Sequence, residues 1–127
     1  MNDDPTRLMV DGLKDFAVEF NLPAPAICQP MPLAVVALST NELIIEFLYG
    51  PSEFHVVLLV IDKEDQSRYG LAELYRIPSV KAWAMAHIPK DGRTGIQMEM
   101  EWCCRFLREP CRKLFSDPKT FLSQCQK

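Results

Sequence analysis

Residues 33–61 read LAVVALSTNELIIEFLYGPSEFHVVLLVI, and this stretch decides the fold. Three β-rich apolar runs, Leu33–Ser39, Glu42–Tyr49 and Phe54–Ile61, are separated by Thr40-Asn41 and by Gly50-Pro51-Ser52-Glu53. Both separators are turn formers short enough for hairpins, so the runs are expected to form a three-stranded antiparallel meander. In the second run Leu43, Ile45, Phe47 and Tyr49 share one face, and Glu42, Ile44, Glu46 and Leu48 share the other, because successive strand residues point to opposite sides. The third run is apolar on both faces apart from His55, the pattern of a central strand covered on each side. On that reading an aspartate at Val57 or Leu59 would carry an unpaired charge into the core and unfold the chain.

The flanking sequence supplies the covering helices. Asp4-Pro5 reads as an N-cap followed by proline at the first helical position, and Met9, Leu13, Phe16 and Phe20 form one apolar stripe behind it. Gly12 weakens this helix by about 1 kcal/mol relative to alanine. Pro23, Pro25, Pro30 and Pro32 make residues 22–32 an extended connector, since proline removes a donor and restricts its predecessor. After the polar loop 62–67, Tyr69–Arg76 reads as a short helix ended by Pro78. The alternation of Ala82, Ala84 and Ala86 with Trp83, Met85 and His87 favours a strand over Val80–Ile88. Lys90-Asp91-Gly92-Arg93 is a turn, and Thr94 with Gln97 forms a capping box. From there Ile96, Met100, Cys103, Leu107, Cys111 and Leu114 recur at helical spacing through Pro110, which predicts a kink or break near Arg108-Glu109. Asp117-Pro118 starts a last short helix carrying Phe121, Leu122 and Cys125. The expected architecture is α+β: a single domain over residues 1–127, with a small antiparallel meander covered by N-terminal and C-terminal helices.

Composition narrows the function classes. A net charge of −3 and a pI near 5.4 argue against nucleic acid as the main partner, because phosphate neutralisation needs a basic face. No apolar run approaches the roughly 20 residues of a membrane helix. Five cysteines, two of them adjacent, and an acidic N-terminus in place of a basic signal sequence lead to the expectation of a cytoplasmic protein with reduced thiols.

The inventory of reactive groups is thin. His55 inside an apolar strand reads as a hydrogen-bonded structural histidine, and Cys103 and Cys111 on the helical stripe as small hydrophobes. Cys103 and Cys104 point about 100° apart on a helix and do not share the two-to-four-residue spacing of zinc ligands. Glu99 and Glu101 suit the start of a helix, where they favour its dipole and remain solvated. No catalytic residue, metal or cofactor is therefore expected. Two segments point instead to protein contacts. Asp62, Glu64 and Asp65 form an acidic patch suited to a basic partner. Trp83, with Met85, Tyr69 and Tyr75, gathers residue types enriched at interfaces, although Trp83 could equally pack over the sheet edge.

The order of these elements, seen in Glu42–Ile61, in Tyr69–Ile77 and in Trp102-Cys103-Cys104-Arg105-Phe106-Leu107, resembles the small immunity proteins of bacterial polymorphic and contact-dependent toxin systems. That resemblance covers most of the chain at the level of layout. It implies a cytosolic protein that binds and blocks a cognate toxin domain and carries no catalytic residues. A second resemblance, through the amphipathic helix Leu8–Phe20 leading into strands, is to type III secretion chaperones. These dimerise and hold an unfolded effector segment along a sheet, so a homodimer is admitted on this reading. The loop at 62–67 and the turn at Gly92–Gly95 interrupt the usual chaperone order. A small enzyme is the third reading, disfavoured by the empty site inventory.

Overall fold

A computed structural model describes residues 4–29, 33–50, 55–88 and 95–126. Helix α1 (Pro5–Glu19) begins as its sequence dictates: the Asp4 carboxylate accepts the Thr6 N–H at 3.0 Å. It ends at Asn21, which takes the left-handed conformation (φ 57°) while Leu22 N–H reaches Ala17 O and Asn21 N–H reaches Val18 O. This pair of bonds is the Schellman stop, which satisfies carbonyls that the helix leaves open.

Five strands follow in one antiparallel sheet: β1 (Ala26–Gln29), β2 (Ala34–Ser39), β3 (Leu43–Tyr49), β4 (Val57–Asp62) and β5 (Arg68–Tyr69), ordered β1-β2-β3-β4-β5. The expected meander forms its centre. The tight β2–β3 turn is held by Thr40, whose hydroxyl accepts the N–H groups of Glu42 and Leu43. Two edge strands extend the expected three. The connector 22–32 contains β1, paired with β2 between its prolines, because an edge strand tolerates prolines at its ends. Tyr69, expected in a helix, pairs with Val60 in β5, and only α2 (Leu71–Leu74) remains of that helix.

The segment expected as a strand over Val80–Ile88 is instead α3 (Pro78–Ala86). Proline at its first position and the Val80–Ala84 pair, four residues apart and both buried, set its register. Helix α4 (Ile96–Arg108) has Gly95 as its N-cap; the expected capping box involves Thr94, which lies outside the described residues, as does the 90–93 turn. The chain breaks after Arg108, as Pro110 requires, and continues in α5 (Lys113–Ser116) and α6 (Pro118–Ser123), the latter capped by the Asp117 carboxylate on Thr120 N–H.

The six helices among the described residues all pack on one side of the sheet. Their buried residues join Ala34, Val36, Leu38, Leu43, Ile45, Phe47, Leu58 and Val60 in one core. The alternate sheet residues are excluded from that core. The register places Val35, Leu48 and Val57 in one cross-strand row, Ala37, Glu46 and Leu59 in a second, and Ile44, Ile61 and Arg68 in a third. The expectation that β4 is covered on both faces is therefore corrected: helices cover one face only, and Val57 is 44% exposed on the other. Val57 and Leu59 stand on this open face, so the residue whose replacement by aspartate unfolds the chain is Leu58.

Candidate functional site

Four of the five thiols are withdrawn from solvent. Cys103, Cys104, Cys111 and Cys125 are buried, and only Cys28, on the β1 edge, is exposed. Burial raises the pKa of all four; that of Cys104 is pushed up to about 11, so these thiols stay protonated and poorly nucleophilic. Among the described residues no group of three or more His, Cys, Asp or Glu side chains is arranged to hold a metal ion. His55 is exposed just before β4, not enclosed in a strand as expected. Its Nδ1 lies 3.2 Å from Glu99 Oε2, while Glu99 Oε1 accepts the Val56 N–H at 2.5 Å. Glu99 is thus not the solvated residue expected: its side chain is 13% exposed and ties the start of α4 to the start of β4.

The acidic loop is rigid. The Asp62 carboxylate accepts the Glu64 N–H at 2.8 Å, and that of Asp65 accepts the Ser67 N–H at 2.9 Å. Gln66 takes the left-handed conformation between them (φ 64°). The Ser67 backbone N–H, with help from the Ser67 side chain, holds Asp65 below the ordinary aspartate pKa. Glu64 pairs with Lys119 of α6, and Lys63 reaches back to Ser39 and Thr40. Two of the three carboxylates shape the turn and the third docks it, so the negative charge at this tip is partly neutralised.

Trp83 sits elsewhere, in an aromatic platform built from α3 and α4. Its ring stacks on His87 at 4.0 Å and lies 5.7 Å from Trp102, which in turn stacks on Phe106 at 5.0 Å. Hydrogen bonds hold both indole N–H groups and one edge of the imidazole. Trp83 Nε1–H donates to Glu109 at 2.9 Å, Trp102 Nε1–H donates to the His87 carbonyl at 3.0 Å, and His87 Nδ1 lies 2.7 Å from the Trp83 carbonyl. Arg105 lies 5.7 Å over the Trp83 ring and pairs with Glu109. The Trp83 indole N–H, and then Arg105, hold Glu109 below the ordinary glutamate pKa. Met98 stands one turn before Trp102 on α4 and Ile88 directly follows His87; they are 55% and 61% exposed, whereas Met85, two residues from Trp83, lies on another side of α3.

Sequence reasoning singled out Trp83 and passed over Ile88, Met98, Trp102, Arg105 and Glu109, while Met85, which it also named, lies away from the Trp83 ring. A signal was present: Met98, Trp102, Arg105 and Glu109 recur at spacings of four, three and four, a second stripe beside the core-facing one. Tyr69 and Tyr75 belong elsewhere, the first buried in β5 and the second against Phe106 beneath the platform.

A cleft of about 600 Å³ opens near the C-terminus, walled by Phe20, Phe115 and Phe121, with Arg112 and Lys113 at its rim. Arg112 is spread over the Phe20 ring at 5.4 Å, which occupies part of that wall. No helix among the described residues is long and apolar enough to cross a membrane. No family model, curated protein or solved structure matches the chain.

Proposed function

We propose that the protein acts by binding, without chemistry of its own, and that it is an immunity protein that neutralises a cognate bacterial toxin domain in the cytoplasm. The observation that supports this reading is the platform of Trp83, His87, Trp102 and Phe106, flanked by the exposed side chains of Ile88 and Met98. Interface energy concentrates in a few aromatic and arginine anchors surrounded by apolar contacts, and anchors held rigid beforehand lose less entropy on binding. The acidic loop Asp62–Asp65 adds steering toward a basic partner surface, an effect on association rate more than on affinity.

The test is growth rescue. The chain is co-expressed with the toxin domain encoded beside its gene, and rescue is compared among wild type, Ile88→Asp, Met98→Asp and Met98→Leu. These side chains are exposed, so the variants fold. The aspartate variants are expected to lose rescue and to bind the toxin at least tenfold more weakly, whereas Met98→Leu retains both. Rescue that survives both aspartates sinks the platform reading. Asn at 62 and 65 keeps the turn-forming acceptors while removing charge; an unchanged on-rate at low salt would exclude the loop from steering.

A type III secretion-type chaperone for an effector protein is the second reading, and the uncovered sheet face favours it. A chaperone would bind an unfolded effector segment and ignore folded toxin domains. Purified protein that recovered neither partner but turned over a small molecule would point to the third reading, an enzyme.

A further inference from the structure

We infer that the open face of the sheet is closed by a second copy of this chain, giving a two-fold homodimer with reciprocal Glu46–Arg68 pairs. The inference concerns the layer opposite the aromatic platform and stands whether or not the toxin reading does. Three observations lead to it. First, the face is apolar across its width: Val35, Ala37, Ile44, Leu48, Val57, Leu59 and Ile61 all stand on it, outside the core shared by the helices. Second, its central charge is Glu46, half-buried between Ala37 and Leu59, and its edge charge is Arg68, opposite Ile61. Neither has an ion-pair partner among the described residues. Lys63, at the rim, is already spent on Ser39 and Thr40.

Third, the two unpaired charges are placed for isologous contact. They stand two strands and two residues apart, about 12 Å, and form no ion pair with each other. A dyad lying in the interface and crossing the line between them at right angles at its midpoint sets Glu46 of each copy against Arg68 of the other. Isologous contact requires this self-complementarity. That midpoint falls on β4 between Leu59 and Ile61, so the apolar strand lies at the symmetry axis. Val35, Ala37 and Ile61 are already buried within the chain, so the area left to cover centres on Ile44, Leu48, Val57 and Leu59, and two copies would bury less than the roughly 1,000 Å² of a specific interface. An interface that small is weak, and the expected dimer forms in the upper micromolar range, by sheets stacked about 10 Å apart.

Sedimentation equilibrium on the full chain up to about 100 µM tests this, a range that reaches an upper-micromolar dissociation constant. Wild type is expected to dimerise. Glu46→Arg and Arg68→Glu should each weaken self-association about tenfold or more, because each leaves like charges facing across the dyad. The double variant E46R/R68E should restore it to within about threefold of wild type, since the swap recreates both pairs. Circular dichroism confirms that each variant is folded. A wild type that stays monomeric overturns the inference. So does a dimer indifferent to the single substitutions, or one that the swap fails to restore. A monomer that takes up an extended apolar peptide in a Leu59-dependent manner would assign the face to an effector segment instead.

Discussion

Replacing Gly12 by alanine sets two effects of known sign against each other. In an isolated helix the change stabilises by about 1 kcal/mol, because glycine loses the most backbone freedom on ordering. In the folded protein α1 crosses α4 at this point. A Cβ built on Gly12 would stand 2.9 Å from Met100 Cβ and 3.4 Å from Met100 Cγ. Ordinary carbon contacts fall near 3.5–4.0 Å, so the helices must separate by roughly half an ångström or more. The nearer atom is the Cβ of Met100, fixed to its own backbone, and no rotamer change moves it away. Met100 is fully buried, and Cys104 of the same helix approaches the Gly12 carbonyl at 3.5 Å, so separation disturbs a packed seam. Overpacking of this kind costs about 1–3 kcal/mol, which exceeds the propensity gain. Gly12→Ala is expected to destabilise the protein by about 1 kcal/mol net, seen as a drop of about 4 °C in the thermal midpoint and a lower urea midpoint at unchanged slope. Gly12→Val should cost more. A rise in the midpoint for Gly12→Ala would refute the close approach of the two helices.

Thiol titration of the native protein is expected to show one fast-reacting cysteine, Cys28, with the other four released only on unfolding; two or more fast thiols would contradict their burial. Leu58→Asp should leave the chain unfolded by circular dichroism, because Leu58 is 1% exposed in the core and a carboxylate there has no partner, whereas Val57→Asp should fold and lose self-association. Glu109 has a lowered pKa in the folded state, so its contribution to stability is present above the ordinary glutamate value and lost as pH falls through the lowered one. Trp83→Phe removes the indole donor, and an NMR titration of the Glu109 carboxylate should then show its pKa moved upward; an unmoved titration would mean that the Trp83 bond is not the cause.

The three central strands were legible because their evidence is local: alternation, β-branched residues and turn formers all act within a few positions. The helix at 78–86 was not, because Ala82, Ala84 and Ala86 alternate without meaning, small residues being compatible with either period. Its register comes from Val80–Ala84 and Trp83–His87, pairs four residues apart whose partners lie on other elements. The edge strands escaped for a related reason. β5 is two residues long, and β1 lies between prolines, so each exists by virtue of the strand it pairs with. Among candidate contacts, Trp83 was legible by residue type, whereas Glu99 was misjudged because nothing in its neighbourhood in sequence announces Val56 N–H as a partner 43 residues away.

The reading of the meander as apolar on both faces carries the larger lesson. Alternation measures whether a face avoids water, and it is silent on what keeps the water out. The helices answer for one face: each contributes its buried side chains to a single core there. For the other, Val35, Ala37 and Ile61 are already buried within the chain, while Val57 is 44% exposed. A surface of that composition, broken by one acid and one base with no ion-pair partner among the described residues, is compatible with solution only if something covers it or if its small size keeps the exposure tolerable. Self-association through this face leaves the α3–α4 platform of each copy turned outward. If both inferences hold, the complex with a toxin has two copies of each chain, with toxins held on opposite outer surfaces. Light scattering of the purified complex would distinguish that assembly from a one-to-one pair, and E46R alone should convert the first into the second without loss of toxin affinity.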